Sequence, residues 1–297
     1  MSEITRVAVA GATGNIGPAI VTQLLDAGFQ VTVLSRSEST PVDSRAQIQK
    51  VDYTSKDSLV AALKGQQALV NSVPVQGGLL DTHWRILDAA HAAGIQRYIP
   101  SEFGCDGDNK HAASLTVFAD KSKIAEKLRE ISEQDPGFTY TRVYTGMFLD
   151  WAMEKNFVIN WSSSSTEIYD GGDVPFSSTT LAGVGKAIAG VLKKPEQTKN
   201  RSVRVSEATV TQNQLLKLSG VADRIQRVDL KTEDLSKRAE EALKQSPPDF
   251  VTFAVSQILY AVFTSKFGTH FDETDNELLG LGTYSEQDLI TLLKKYV

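Results

Sequence analysis

The chain has a single cysteine, Cys105, among its 297 residues, so no internal disulfide can form, and the sequence reads as one from a reducing compartment. Basic runs are also missing. With a net charge of −5 the composition argues against nucleic acid, whose binding rests on Lys and Arg neutralising phosphates. The four histidines (His83, His91, His111, His270) and the lone cysteine give no HExxH or CxxC spacing, so no metal site is expected. The acidic "HFDETDNE" at 270–277 lacks the glycine and ligand pattern of a calcium loop and reads as a solvated turn. No G-x-S-x-G occurs, which disfavours an acyl-transfer hydrolase. Long hydrophobic runs are absent. "FVTFAVSQILYAVF" (250–263) is too short and too polar to span a bilayer and reads as a buried helix. "MSEITRVAVA" shows no secretory pattern, so a cytoplasmic location is expected and Asn160-Trp161-Ser162 is read as a chance glycosylation match.

What is present is a rhythm. Strand-like runs ("ITRVAVA", "FQVTVLS", "AQIQKVD", "QALVNSV", "IQRYIPS", "GFTYTRV") alternate with helical patterns through about residue 150. Such alternation predicts an α/β, doubly wound parallel sheet with helices on both faces. Residues 1–150 read as a dinucleotide-binding domain, and 151–297 as a smaller α+β substrate lobe that also returns strands to the first sheet after about residue 170. "SSSSTEIYDGGDVPF" reads as a polar loop rather than a regular element.

The chemistry concentrates at "VAVAGATGNIGPAI" (7–20), where Gly11, Gly14 and Gly17 lie between a strand and a helix. Glycines let the backbone turn tightly and approach a pyrophosphate, while the helix N-terminus offers unpaired N–H groups. Thr13, Asn15 and Ile16 complete the candidate turn. At the end of the second strand an NAD site usually places an acid. Here "VTVLSRSES" places Arg36, whose guanidinium suits a 2′-phosphate, so NADP(H) is expected as cofactor. Asn71, Ser72 and Val73 end the fourth strand, and Ser101, Glu102 and Phe103 follow the fifth, where ligands bind in open α/β sheets. Phe103, Tyr144, Phe148 and Trp151, with Met147, Phe157 and Trp161, either wall an apolar pocket for a flat substrate or form ordinary core between the lobes.

"GATGNIG", "VLSRSEST", "ILDAAHAAGIQRYIPSEFG" and "FTYTRVYTGMF" resemble the isoflavone reductase-like group of atypical short-chain dehydrogenases. That group includes phenylcoumaran benzylic ether and pinoresinol–lariciresinol reductases, and its wider clan includes NmrA-like regulators. The resemblance covers residues 4–150 well and implies an NAD(P)-binding Rossmann fold. It also implies a role for Lys121 in "FADK", as general acid or base beside the nicotinamide and as part of the cofactor site. A lysine partly desolvated beside a cationic ring is a usable acid or base near neutrality. Tyr-x-x-x-Lys, the usual signature of typical short-chain dehydrogenases, is absent. The resemblance also places Gly146 where the group carries an asparagine, and His111 where it carries a histidine; both positions would face substrate. The expected function is an NADPH-dependent reductase passing hydride to a small, mostly aromatic quinone methide, enone or carbonyl. The alternatives are a non-catalytic dinucleotide sensor that binds a protein partner, and a redox-neutral isomerase or dehydratase. No nucleic-acid or membrane partner is expected.

Overall fold

Apolar β-branched runs without polar alternation form strands buried on both faces, which is what "VAVA" and "ALVN" require. The computed structural model describes residues 3–75 and 78–297. The first half runs β1 (Arg6–Ala10), α1 (Gly17–Asp26), β2 (Gln30–Ser35), β3 (Gln47–Lys50), α2 (Lys56–Leu63), β4 (Ala68–Asn71), α3 (Leu80–Ala92), β5 (Arg97–Ile99), α4 (Lys110–Ala113), α5 (Ala119–Gln134) and β6 (Thr139–Tyr144). The second half runs β7 (Met147–Phe148), α6 (Leu149–Glu154), β8 (Ser165–Tyr169), β9 (Phe176–Thr179), α7 (Leu181–Lys193), α8 (Pro195–Thr198), β10 (Arg201–Arg204), β11 (Ala208–Val210), α9 (Gln212–Ser219), β12 (Gln226–Leu230), α10 (Thr232–Lys244), α11 (Phe250–Val262), α12 (Asn276–Leu279) and α13 (Glu286–Leu293).

Seven strands form one parallel sheet in the order β10-β6-β5-β4-β1-β2-β3. Strand alternation splits its side chains between two cores. Val7 and Val9 point to α1 and α7, while Ala8 and Ala10 point to α2, α3 and α5. Its seventh strand, β10, comes from the second half and pairs Arg201 with Thr141 of β6. The remaining strands build a three-stranded β11-β9-β7 sheet and a β12-β8 pair, packed with α6, α9, α11 and α13 around a third core.

Two sequence expectations change. The stretch expected as a loop at 162–176 contains β8, which pairs in parallel with β12 because Ile168 and Tyr169 drive their side chains into the third core. The segment expected as a buried helix becomes α11, but its first turn stands in solvent, with Phe250 66% and Val251 74% exposed. Among the described residues no helix is long and apolar enough to cross a membrane.

Arg97 on β5 is fully buried and anchors the sheet's far edge. Its Nε donates to Thr139 Oγ1 (3.0 Å), Nη1 to Thr141 Oγ1 and Thr198 Oγ1 (both 2.9 Å), and Nη2 to the Pro195 carbonyl (2.6 Å). Burial brings its pKa down to about 10, so it remains a cation at neutral pH. Arg97→Met is expected to destabilise the fold by about 3 kcal/mol, because three hydroxyls and a carbonyl lose a charged partner inside the protein. Equilibrium urea unfolding checks this; an unchanged midpoint would show that the fork contributes nothing net.

Candidate active site

The glycine turn sits at the C-terminal end of β1, the edge where open α/β sheets take ligands. Gly11 has φ +78°, and a Cβ there would lie 2.6 Å from the Ser72 carbonyl carbon and the Val73 nitrogen. A Cβ on Gly17 would lie 2.3 Å from the Gly11 carbonyl oxygen. These two glycines are therefore dictated by the contact of the turn with the β4 loop and with α1. Gly14 is different: its N–H donates to Gly11 O (3.0 Å), and a Cβ would meet only that oxygen, at 3.4 Å. Thr13, Gly14 and Asn15 are exposed, whereas Ala12 and Ile16 anchor the turn in the core. No side chain caps α1, so no side chain occupies the N–H groups of its first turn, where Pro18 has none to offer. An open loop of small residues over an uncapped helix fits a dinucleotide pyrophosphate.

Arg36 stands exposed one residue beyond β2. The acid nearest in sequence, Glu38, reaches Lys50 at 3.9 Å. Around Arg36 the hydroxyls brace one another: Ser35 Oγ meets Thr40 Oγ1, and Thr40 Oγ1 donates to Ser37 O in its other bond (2.7 Å). The sequence reading missed Tyr53. Its hydroxyl donates to Leu34 O (2.9 Å) close to the Gly11 backbone and the Arg36 charge, and burial pushes its pKa up to about 12.

Next to the turn, Ser72 donates to Ala10 O from both its N–H (2.9 Å) and its hydroxyl (2.7 Å). Asn71 corrects an expectation. Its side chain is not open to a ligand but is fully buried, with Nδ2 donating to Tyr98 OH (3.0 Å) and to His83 Nδ1 (3.1 Å), and Oδ1 accepting from Val73 N–H (3.1 Å). Burial lowers the pKa of His83, and the neutral ring then donates from Nε2 to Pro74 O (3.0 Å). Asn71, His83 and Tyr98 thus shape the 71–75 loop from below, leaving its backbone and the half-buried Val73 toward the cleft. A histidine on the buried face of α3 was the only signal for this network in the sequence.

Lys121 projects from the first turn of α5. Its Nζ donates to the Glu102 main-chain carbonyl and lies 5.8 Å from the Phe118 ring centroid. Lys123 turns away to pair with Asp120 at 2.9 Å. Ser101 is half-buried, Phe103 belongs to the core under α1 and α7, and His111 is exposed on α4. The Glu102 carboxyl points inward. Burial raises its pKa, the charges of Lys121 and Arg142 oppose that rise, and Asp108 and Asp106 add to it. Burial likewise pushes the Cys105 thiol up to about 12, which keeps it a neutral thiol.

At the end of β6 two further expectations change. Tyr144 is fully buried rather than on a pocket wall, its ring between the guanidiniums of Arg142 and Arg204 at 5.7 and 5.8 Å. Arg204 in turn binds Asp106 Oδ2 (2.7 and 2.9 Å), and Arg142 binds Asp108. Gly146 has φ +62°, and a Cβ there would lie 2.0 Å from Ser177 O. The backbone, not a substrate contact, requires glycine at this position. Both Thr145 and Gly146 donate their N–H groups to Gly104 O (3.1 and 3.0 Å). Met147, Phe148 and Trp151 are half-buried; Phe148 packs on the first core, and Trp151 stacks obliquely on Phe157 with centroids 5.3 Å apart. Among the described residues no His, Cys, Asp or Glu cluster could hold a metal ion.

A parallel seven-stranded sheet with a glycine turn at β1, a basic residue after β2 and a lysine over β5 defines a Rossmann-type α/β protein. The chain belongs to the NmrA-like family, whose profile matches residues 3–224. It is 36% identical to oxidoreductase aprR of Aspergillus flavus over 216 residues, covering 71% of each chain. It is 29% identical to phenylcoumaran benzylic ether reductase Pyrc5 of Pyrus communis over 159 residues, half of each chain. Among solved structures, AtPrR2 with NADP+ and (+)pinoresinol superposes over 100% of both chains with a TM-score of 0.78 at 19% identity. The resemblance to the isoflavone reductase-like group read from the sequence therefore holds.

Gly146→Asn would restore the asparagine implied by that resemblance, but here it is expected to cost several kcal/mol of stability, because the new Cβ overlaps the Ser177 carbonyl and the residue takes a positive φ. Thermal melting checks this; a wild-type Tm would mean the 146–177 contact relaxes freely.

Proposed function

We propose that the chain is an NADP(H)-dependent oxidoreductase that reduces a small, mostly aromatic substrate at an electrophilic carbon, with Lys121 as the proton-moving residue. The observation that carries the reading is the placement of Lys121 at the C-terminal edge of β5, on the other side of the Ser72–Val73 loop from the glycine turn. The relatives support it: aprR is named an oxidoreductase and AtPrR2 binds NADP+ with pinoresinol.

In this reading the turn from Gly11 to Gly17 receives the pyrophosphate, with its N–H groups and the start of α1 as donors. Arg36 takes the 2′-phosphate, assisted by the Ser35–Thr40 hydroxyls. Backbone of Ser72–Val73 and half-buried Ser101 flank the nicotinamide end. The reduced dinucleotide supplies the hydride when bound. Lys121 donates a proton to the substrate atom that gains negative charge, and Phe118 excludes water from its flank. Met147, Phe148 and Trp151 offer apolar surface for a flat ring, which is the substrate class we assign. Gly146 has a backbone cause, so its departure from asparagine lends nothing to a non-catalytic sensor.

Two experiments test the reading. Arg36→Ala is expected to weaken NADPH binding at least about tenfold while leaving NADH nearly unchanged, measured by fluorescence titration of both cofactors. Equal losses would remove Arg36 from the 2′-phosphate. Lys121→Ala is expected to bind NADPH normally and to lose about a hundredfold in kcat on whichever aromatic quinone, enone or ether the wild type reduces. Full turnover in that variant would exclude Lys121 as the proton donor.

A further inference from the structure

A buried carboxyl beside a lysine assigned to proton transfer is chemically active material, and here the two share a pocket. The pocket is narrow, about 20 Å³, room for a single water molecule, and is lined by Glu102, Cys105, Phe118, Lys121, Ser122 and Arg142. Glu102 is only 4% exposed. Its two flanking cations are engaged elsewhere: Lys121 Nζ binds the Glu102 main-chain carbonyl, and Arg142 binds Asp108. Both charges act on the buried carboxyl, and both side chains line the same pocket as Glu102.

We propose that Glu102 is the inner proton donor that recharges Lys121, through one water in this pocket. The proposal rests on the assignment of Lys121 as proton donor to the substrate. When the hydride has reached the substrate carbon, the Lys121 ammonium gives its proton to the developing anion and becomes a neutral amine. A water in the pocket then protonates the amine and takes the Glu102 proton in the same relay, leaving a carboxylate. Solvent reprotonates the carboxylate between turnovers. No electrons move in these steps, and each proton lost at one atom is gained at the next.

The charged and titratable groups that act on Lys121, Glu102 and Cys105 bear on the pH response. Asp120 lies on the helix of Lys121; His83 faces it from α3; Glu102, Cys105, Asp106 and Asp108 come from the β5 loop; Arg142 comes from β6. Burial lowers the His83 pKa, and it pushes the Cys105 thiol up to about 12, so Cys105 keeps its proton through the neutral range. Burial keeps the Glu102 proton in place above the usual carboxylate range. The relay therefore works at lower pH and fails as pH rises through the folded Glu102 pKa.

The experiment uses the full chain with NADPH and menadione, comparing kcat against pH for wild type, Glu102→Gln, Glu102→Asp and Lys121→Ala. Glu102→Gln is expected to lower kcat at least about tenfold with KM and NADPH binding unchanged, and to abolish the fall on the alkaline side. Glu102→Asp is expected to restore part of the rate. Infrared difference spectra of the cofactor-free protein supply a second readout: a protonated carboxyl band at neutral pH that vanishes in Glu102→Gln. The glutamine variant is isosteric, and it should melt at or above wild type as pH rises, because a carboxyl whose folded pKa is raised loses its stabilising contribution on ionising. Wild-type rate and pH profile in Glu102→Gln, or no such infrared band, would overturn the relay. If Lys121→Ala turns over at full rate, the Lys121 assignment itself fails and the relay with it. If only Glu102→Gln does so, the relay alone fails.

Discussion

Everything at the working edge of this protein hangs from one backbone junction. The carbonyl of Gly104 accepts from the N–H groups of Thr145 and Gly146, and Gly146 packs its α-carbon against the carbonyl of Ser177. Three segments meet there: the loop that follows β5, the exit from β6, and β9 of the three-stranded sheet. A side chain at Gly146 has no place to go, so the three can approach only because that residue is glycine. Thr179 reinforces the junction from the other side, its hydroxyl contacting the carbonyls of Thr145 (2.8 Å) and Val205 (3.1 Å). The loop that carries Glu102, and with it the carbonyl that holds Lys121, is fixed by this crossing of main chains.

The paired charges nearby follow from the same geometry. A loop clamped by backbone bonds still leaves its acidic residues to be neutralised, and Asp106 and Asp108 find Arg204 of β10 and Arg142 of β6. The two guanidiniums then close on the faces of Tyr144, a contact the ring's quadrupole favours. Arg97 does similar work one turn of the sheet away, tying β5 and β6 to α8 through threonine hydroxyls. Such networks contribute little net stability over an apolar core, but breaking one member is costly. Their effect is to hold β5, β6 and β10 in a single register, which sets where Lys121 can reach.

The first sheet and its glycine turn were legible because they obey local rules. Alternating strand and helix patterns, and glycines where strand meets helix, carry their meaning in a few adjacent residues. Arg36 was singled out from its place after β2, and Lys121 from a family resemblance. What escaped the sequence depends on long-range contacts. Asn71 looked like a ligand-facing residue until His83 and Tyr98, 12 and 27 residues on, claimed its amide. Tyr144 read as either pocket wall or core until β10, some 60 residues later, brought Arg204 over its ring. Gly146 looked like a lost functional side chain, and only the fold places Ser177 against it. β8 was hidden in a polar stretch because its partner, β12, lies far along the chain.

The division between cofactor and substrate is written in the same terms. The NmrA-like match ends at residue 224, and the glycine turn, Arg36, Lys121 and the sheet all fall within it. Residues beyond that point cover the loop ahead of Lys121. Gln257 of α11 accepts the Val117 N–H (3.1 Å), Gly268 O accepts the Asp106 N–H (3.0 Å), and Ala261 and Phe267 pack with Ala112, Leu115 and Phe118. The part of the chain that covers the loop ahead of Lys121 is thus the part the family profile does not match. Motifs of a few adjacent residues make the glycine turn legible, whereas the packing of α11 and its neighbours on the loop ahead of Lys121 is set by contacts more than a hundred residues apart and has to be read from the fold.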